Sequence, residues 1–222
     1  MVIKTTPQIL KRISIRWPPD PASEETETIA LNVEGYFMDL RVTLADSALQ
    51  WSRAGERKTV GENPLAFQWT RIIDSLGSPR SDEASFEQME NGDDLETGRF
   101  DREGNGNLAN YEEVWRDVTA KAESDDSAWI LQSIDGSMFL GKVGDVFLGM
   151  QQSGQGHFAV RKEIYTSEAG KWEDVFEAGP VSCIPRAMDV LRDLGQGKGK
   201  IAEKGQTVRV CHSEYVVRGT AR

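Results

Sequence analysis

The segment Thr28–Leu44, TIALNVEGYFMDLRVTL, decides the fold, because two β-rich halves flank the dipeptide Glu34-Gly35. A glycine-containing break between two such halves is typical of a hairpin turn. Successive side chains of a β-strand point to opposite faces of the sheet. In the second half, one face would carry Tyr36, Met38, Leu40 and Val42, and the other Phe37, Asp39, Arg41 and Thr43. The segment therefore predicts two antiparallel strands, with charged residues on one face of the second.

Short β-rich segments separated by turn residues continue on both sides of this hairpin. In the C-terminal half, Asp135-Gly136 lies between two apolar segments, and this dipeptide is a strong hairpin signal. The polar stretch Thr119–Ser127 would link the two halves. Short strands at a spacing of roughly 8–12 residues are typical of sandwiches and barrels. We predict a mainly β protein with two antiparallel β-barrel domains, residues 1–120 and 128–222.

Two segments depart from this pattern. Ser75–Asn110 is rich in Gly, Asp, Glu, Ser and Asn, and we expect long loops there around one short hairpin. Near the C-terminus, Pro185 would begin a short amphipathic helix and Gly195 would end it. The apolar face of this helix would carry Met188, Leu191 and Leu194. One short C-terminal helix is therefore expected beside the strands.

The charge balance argues against several functional classes. With 26 Lys and Arg against 36 Asp and Glu, the formal net charge is −10, whereas a nucleic-acid-binding surface needs a basic patch. The same balance argues against an anionic membrane surface, and the chain has no apolar run of about 18 residues. Two cysteines and two histidines cannot supply a convincing four-ligand zinc site. We predict a cytoplasmic protein, with the nucleus as a second location, that uses no metal or cofactor and binds neither nucleic acid nor membranes.

One loop has the spacing of calcium ligands. In Asp101–Glu112, oxygen-bearing side chains occupy positions 1, 3, 5, 7 and 12 of a calcium-binding loop, and Gly106 occupies position 6. Position 3 is Glu103 rather than Asp or Asn, and the preceding residues 91–100 have no helical pattern. A polar connection between strands is the favoured interpretation.

Five segments together resemble one protein family. They are Ser14–Val42, Gln50–Lys58, Asn91–Gly98, Tyr111–Val118 and Asp135–Met150. These segments are similar to the fungal Hri-one family, small proteins named for interaction with a casein kinase 1-type kinase. The resemblance implies two lipocalin-like β-barrels, a cytosolic and nuclear location, and no established biochemical activity. The family offers no catalytic motif whose residues could be transferred to this chain.

Several strands combine aromatic and charged residues. A barrel interior that holds a small ligand needs aromatic walls and a few polar groups that orient the ligand. A buried Glu or His could also transfer protons there, because burial displaces its pKa. Alternatively, Trp and Phe fill a side-chain core while the charged residues face water. The candidate ligand-binding residues are Asp39, Arg41, Trp69, Arg71, Glu113, Trp115, Arg116, His157, Arg161 and Tyr165.

Two functional hypotheses follow. The first is a non-enzymatic adaptor that binds a protein, with a protein kinase as one candidate partner. The alternative is a lipocalin-like protein that binds a small hydrophobic molecule, or a cofactor-free isomerase, cyclase or dehydratase of a fungal metabolite pathway, with no catalytic residue assigned. A pocket of roughly 300 Å³ or more, lined by Trp69, Trp115, Arg116, Arg161 or Tyr165, would favour the alternative. A filled barrel would favour the adaptor.

Overall fold

Eight antiparallel strands close into a barrel in the N-terminal half of the chain. The computed structural model describes residues 7–77, 81–102, 104–120, 127–154, 156–195 and 202–221. The barrel strands are β1 (Gln8–Arg16), β2 (Thr26–Val33), β3 (Tyr36–Thr43), β4 (Leu49–Glu62), β5 (Leu65–Asp74), β6 (Asp82–Gln88), β7 (Asp94–Phe100) and β8 (Ala109–Asp117). Each strand pairs with the next, and β8 pairs with β1. The prediction of a mainly β protein that begins with an antiparallel barrel is confirmed.

The glycine- and acid-rich segment Ser75–Asn110 completes the barrel wall. It contains β6 and β7, which pair with each other as the expected short hairpin. β6 also pairs with β5, and β7 also pairs with β8. The hairpin therefore closes the gap between the other six strands.

The C-terminal half forms a seven-stranded antiparallel sheet rather than the predicted second barrel. Its strands are β9 (Ala128–Ser133), β10 (Met138–Val143), β11 (Val146–Gln152), β12 (Phe158–Thr166), β13 (Lys171–Ala178), β14 (Thr207–Val210) and β15 (Ser213–Ala221). Their order is β13-β12-β11-β10-β9-β15-β14, with β13 and β14 at opposite edges. A 3-10 turn, Val181–Cys183, and the helix α1, Ala187–Asp193, lie between these two strands in the chain. β13 and β14 do not pair with each other, so the sheet is open.

The expected short C-terminal helix is confirmed, but its buried face differs from the prediction. Ala187 and Val190 are its buried residues, whereas Met188 is 58% exposed. Leu191 and Leu194 pack at the margin of the same cluster. The helix is rotated so that its smaller apolar side chains contact the sheet. No helix in the described parts of the chain is long and apolar enough to cross a membrane.

The outer wall of the barrel and one face of the second sheet share a hydrophobic core. The barrel contributes mainly outward-facing residues of β2 and β3, and the sheet contributes alternate residues of β9–β12. Central members, each at most 1% exposed, are Leu31, Val33, Met38, Leu40, Ile130, Phe139, Leu148, Met150 and Val160. The opposite face of the sheet is covered by α1. The division into two domains stays a prediction.

A β-bulge in β5 changes which residues face the barrel interior. The pairing between β4 and β5 skips Ile72, so one extra residue lies on β5. Arg71 therefore points inward, Ile73 packs against the second sheet, and Asp74 points inward again. The bulge brings two charged residues three positions apart to the same side of the strand.

A second bulge lies in β1. Its pairing with β8 skips Ile13, because Arg12 lies opposite Trp115 while Ser14 lies opposite Val114. Arg12 is 4% exposed and donates to an interior glutamate. The bulge allows this arginine, rather than Ile13, to occupy the interior.

Gly55 on β4 is needed opposite the bulge of β5, and Gly55→Ala tests this. An added Cβ would lie 2.0 Å from the backbone oxygen of Thr70, which cannot move without breaking the strand pairing. We expect this substitution to lower the free energy of unfolding by about 1–3 kcal/mol or more, measured by chemical denaturation.

The matched control is Gly141→Ala in the core shared by barrel and sheet. There the added Cβ would lie 2.5 Å from the sulfur of Met38, which belongs to a flexible side chain and not to the backbone. We expect a smaller loss of stability than for Gly55→Ala. Equal losses for both variants would contradict a special requirement for glycine at the bulge.

Candidate ligand-binding site

A cavity of about 350 Å³ lies at one end of the barrel. Its walls come from the ends of β1, β3 and β7 and from the beginnings of β2, β4, β6 and β8, which meet at the same end of an antiparallel barrel. We call this the open end. Polar and aromatic residues line it together, among them Arg12, Trp17, Arg41, Trp51, Arg53, Glu96, Phe100, Tyr111 and Glu113.

Aromatic side chains fill the opposite, closed end. Phe67, Trp69 and Phe86 contact one another with ring centroids 5.4, 5.9 and 6.2 Å apart. A space of only about 30 Å³ remains there, with Asp39 and Trp115 in its wall. Such a space holds at most a few water molecules. Within the described part of the barrel, only the open end therefore has room for a small molecule.

Arg12 is fully engaged by its neighbours. Its Nε and Nη2 donate to Glu24 at 2.8 and 3.0 Å, and Nη1 donates to Glu113 at 2.6 Å. Nη2 also donates to the hydroxyl of Thr26 at 2.8 Å. The guanidinium thus uses all three nitrogens, which offsets the cost of burying its charge.

Trp51 lies among three guanidinium groups. The central carbons of Arg41, Arg53 and Arg71 lie 4.9, 4.2 and 5.2 Å from the centroid of its ring. An indole ring attracts cations through its electron-rich face. The indole Nε1 donates to Asp74 at 3.0 Å, which holds the ring in place. Trp51 is therefore the apolar centre of a charged layer.

Two aspartates of the barrel interior, Asp39 on β3 and Asp82 on β6, neutralise these arginines. Asp39 accepts from Arg41 at 3.2 Å and from Arg53 at 3.1 Å. Asp82 accepts from Arg53 with one oxygen and from Arg71 with the other. Burial acts to raise the pKa of Asp39, but the charges of Arg41 and Arg53 outweigh it and hold this pKa below its usual value. The aspartate therefore stays ionised inside the barrel.

Arg41 is held more loosely than Arg12. Its hydrogen bonds to Asp39 and Glu113 measure 3.2 and 3.3 Å, at the long limit of about 3.2 Å for such bonds. Its Nε has no hydrogen-bond partner among the described residues. Burial acts to lower the pKa of Arg41, but the charges of Asp39 and Glu113 raise it above its usual value. The cavity wall therefore holds a charged guanidinium whose unpartnered Nε is buried behind its surface.

Glu96 is a carboxyl group that stays protonated at neutral pH. Burial raises its pKa to about 8, and the negative charge of Glu113 acts in the same direction. The two glutamates lie opposite each other on β7 and β8, and the hydroxyl of Tyr111 donates to Glu96 at 2.7 Å. Burial and the charge of Glu96 also raise the pKa of Tyr111. A neutral acid therefore lies beside an arginine-paired glutamate.

The barrel interior contains six of the ten predicted ligand-binding residues. They are Asp39, Arg41, Trp69, Arg71, Glu113 and Trp115. Arg41 and Glu113 line the open-end cavity, whereas Trp69 and Trp115 belong to the closed end. The cavity has the size that favours a ligand, but residues other than those expected form most of its wall.

The other four predicted residues lie outside the barrel interior. Arg116 is on the outer surface, where it donates to Asp93 at 2.8 Å, because its strand neighbour faces inward. His157 is exposed just before β12. Arg161 and Tyr165 belong to the second sheet. Arg161 donates to the backbone carbonyl of Ile184, just before α1, and Tyr165 packs on Trp172. The structure does not bring these four to the cavity.

Most of the residues that line the cavity were missed from the sequence, and five of them show why. Arg12 was hidden by the bulge at Ile13, and Glu96 lies in a segment without a clear apolar face. Tyr111 shares its face of β8 with the predicted Glu113 and Trp115. Trp51 and Arg53 are two positions apart on β4, and this alternation was a usable signal. Charged and aromatic residues at alternate positions of several strands thus predict the residues of this barrel interior better than hydrophobicity does.

The calcium-like loop binds its own backbone. The carboxylate of Asp101 accepts from the backbone N–H groups of Asn105 and Gly106 at 3.0 and 2.7 Å. Glu103, the third position of the motif, lies outside the described residues. Within the described ranges, no three His, Cys, Asp or Glu residues are grouped as a metal site.

The fold and site define a class of β-proteins in which a barrel with a buried ion-pair layer packs against a second sheet. The sequence matches the family described as Protein HRI1 over residues 8–210, so the chain belongs to this family and the resemblance is confirmed. Its fold is similar to the crystal structure of uncharacterized protein YLR301w from Saccharomyces cerevisiae. The TM-score is 0.75 at 17% identity, over 97% of this chain and 99% of that chain. No match was found among curated proteins.

The protonation of Glu96 predicts a specific pH dependence of stability. Its pKa is raised from 4.5 to about 8 on folding, so its contribution is complete at acidic pH and is lost as the pH rises through about 8. Glu96→Gln removes this loss. We expect the thermal midpoint of the variant, relative to the wild type, to be higher at pH 9 than at pH 6 by about 3 °C or more.

The control is Glu112→Gln, on the same strand as Glu113 but paired with Arg16 outside the barrel. The difference in thermal midpoint between Glu112→Gln and the wild type should be the same at pH 6 and at pH 9. If Glu96→Gln also shows no change between pH 6 and pH 9, Glu96 is not protonated in the folded protein.

Proposed function

We propose that this protein binds a small molecule in the open end of its barrel. The observation that carries the proposal is the cavity of about 350 Å³ with charged and aromatic walls. Ligand sites commonly measure about 300–1,000 Å³ and combine apolar surface with a few fixed polar groups. Aromatic rings fill the closed end, so side chains can fill the interior of a barrel of this size. The cavity at the open end is therefore not a necessary result of barrel closure.

The wall of the cavity is organised before any ligand binds. Arg12 is fixed by two glutamates, and Trp51 is fixed by Asp74 and by the guanidinium groups around it. Groups that are already oriented lose little conformational entropy on binding, which favours affinity. The buried charges favour a ligand with a polar end over the purely hydrophobic molecule that the sequence suggests.

Acid–base catalysis on the bound molecule is a second candidate function. One observation favours it: the neutral Glu96, with a pKa of about 8, lies beside Glu113 in the cavity wall. An acid with a pKa near the working pH is suited to donate a proton, and a neighbouring carboxylate is suited to accept one. An isomerase, cyclase or dehydratase without a cofactor could use such a pair.

The adaptor hypothesis rests on the sequence resemblance rather than on a feature of the cavity. A protein partner, a kinase among the candidates, stays a prediction, as do the cytoplasmic and nuclear locations. Ligand binding and an adaptor role are compatible, since the cavity occupies one end of the barrel and leaves most of the outer surface accessible.

Native mass spectrometry of the full chain tests the proposal. After exposure to a small-molecule metabolite extract, the wild type should retain one bound compound. Gln50→Trp should reduce the bound fraction severalfold, because exposed Gln50 lines the cavity and a larger side chain there would obstruct it.

Gln88→Trp is the matched control, because Gln88 is an exposed barrel residue outside the cavity wall. It should retain the compound as the wild type does. The proposal would be wrong if the wild type retained nothing, or if all three proteins retained the compound equally.

A further inference from the structure

We propose that the open-end cavity binds a neutral molecule with an aromatic ring and a carbonyl oxygen, and that the carboxyl group of Glu96 donates a hydrogen bond to this oxygen. This inference rests on the proposed ligand-binding function and adds the chemical class of the ligand. It stands on the hydrogen bonds of Glu96 and Tyr111, on the pairing of the charges around the cavity, and on the aromatic rings of its wall.

Glu96 differs from the other carboxyl groups of the barrel interior. Four of these accept a hydrogen bond from at least one arginine, namely Asp39, Asp74, Asp82 and Glu113. Glu96 is 7% exposed, and its one side-chain hydrogen bond among the described residues comes from Tyr111. A buried carboxylate without a cationic partner is costly, so this carboxyl group is the one that keeps its proton.

Glu96 and Tyr111 together leave one O–H donor unused. Burial keeps both side chains protonated at neutral pH, because it raises the pKa of the tyrosine and raises that of the glutamate to about 8. The pair thus carries two O–H groups, and the hydrogen bond of 2.7 Å between them uses only one. The second oxygen of Glu96 has no partner among the described residues, yet it is not one of the polar atoms sealed from solvent.

The open-end cavity is where a ligand can meet this donor. Both Glu96 and Tyr111 line it. Glu96 also borders the space at the closed end, but about 30 Å³ is too small for a ring, and Tyr111 does not line that space. The unused O–H group therefore complements an acceptor of a molecule in the open end.

The charges of the cavity wall already neutralise one another. Each of its four arginines has a carboxylate within 3.5 Å, and the pairs are Arg12 with Glu24 and Glu113, Arg41 with Asp39 and Glu113, Arg53 with Asp39 and Asp82, and Arg102 with Asp20. The remaining charged residue of the wall, Glu25, is exposed to solvent. A charged ligand would have to be desolvated without a free counter-charge, which is costly. A neutral ligand with one strong acceptor avoids this cost.

Two pairs of rings form the apolar part of the wall. Trp17 and Tyr111 have ring centroids 5.8 Å apart, and Trp51 and Phe100 have centroids 5.6 Å apart. All four residues line the cavity. Aromatic rings pack favourably against such walls in stacked or tilted arrangements. The site thus combines an aromatic compartment with one O–H donor.

The groups around Glu96 decide the pH at which the donor is lost. They are Tyr111 and Glu113 on β8, Arg41 on β3, and Arg53 and Arg57 on β4, while its partner on β6 is the uncharged Phe86. Burial and the charge of Glu113 raise the pKa of Glu96, and together they outweigh Tyr111, Arg41 and Arg53, which lower it. Above a pH of about 8, Glu96 is an acceptor and repels a carbonyl oxygen.

Two probes of similar shape test the donor by NMR titration of the full chain at pH 6 and pH 9. Acetophenone has a carbonyl acceptor, and isopropylbenzene has none. We expect acetophenone to bind about fivefold or more weakly at pH 9, because only about a tenth of Glu96 is still protonated there. Isopropylbenzene should bind equally at both pH values.

Two substitutions of Glu96 assign the effect to this residue. Glu96→Gln keeps an N–H donor at both pH values, so its affinity for acetophenone should not change between pH 6 and pH 9. Glu96→Met removes the donor, so acetophenone should bind about fivefold more weakly at pH 6 while isopropylbenzene does not weaken. Should Glu96→Met fail to fold, the comparison of Glu96→Gln with the wild type still decides.

Glu112→Gln is the matched control, because Glu112 pairs with Arg16 outside the barrel. Its affinity for acetophenone should fall between pH 6 and pH 9 as that of the wild type does. Benzoate and benzylammonium, which carry opposite charges on the same ring, should both bind more weakly than acetophenone at pH 6.

The outcomes separate this inference from the proposed function. If Gln50→Trp blocks acetophenone but neither pH nor Glu96→Met changes its affinity, the cavity binds ligands and Glu96 is not the donor. If benzoate or benzylammonium binds more tightly than acetophenone, the neutral class is wrong. If none of the probes binds at millimolar concentration, the inference fails, whereas retention of a metabolite in native mass spectrometry decides the proposed function separately.

Discussion

Charge neutralisation inside the barrel is the constraint on which the rest of the structure depends. A buried guanidinium group would cost several kcal/mol without a partner, and Arg12, Arg53 and Arg71 each find a carboxylate on an adjacent strand. Arg12 on β1 reaches Glu113 on β8, Arg53 on β4 reaches Asp39 on β3, and Arg71 reaches across to β6. A shift of one residue in any of these pairings would turn a charge outward and leave its partner buried alone. The ion pairs therefore specify the register of the strands.

The second sheet explains why the interior of the barrel is polar. β2 and β3 turn apolar residues outward, where Leu31 and Met38 pack against Phe139 and its neighbours. Since side chains alternate, the inward residues of these strands are then the polar ones, such as Thr28 and Asp39. This part of the barrel reverses the usual arrangement of apolar interior and polar exterior. Docking of the second sheet and the charged interior are thus two consequences of one alternating pattern.

The sequence was sufficient to predict that side chains alternate between the two faces of each strand. It was not sufficient to predict which face points into the barrel. The hairpin Thr28–Leu44 and the separation of Asp39 and Arg41 from the apolar face of β3 follow from period-two alternation alone. Alternation does not say which face closes into a barrel, and the bulges at Ile13 and Ile72 change the phase within a strand. The second half has equally regular alternation, yet it stays an open sheet with β13 and β14 at opposite edges, and alternation alone does not distinguish the two outcomes.

The neutral glutamate of the cavity follows from the same ion-pair layer. Arg41 and Arg53 act to lower the pKa of Glu96, but burial and the charge of Glu113 outweigh them. Arg41 and Arg53 already donate to Asp39, whose negative charge offsets much of their electrostatic effect on another carboxylate. Glu96 therefore keeps its proton while Asp39, in contact with both arginines, stays ionised. A ligand that enters the open end meets a layer whose fixed charges are nearly balanced, so its own charge and hydrogen bonds decide how it is oriented.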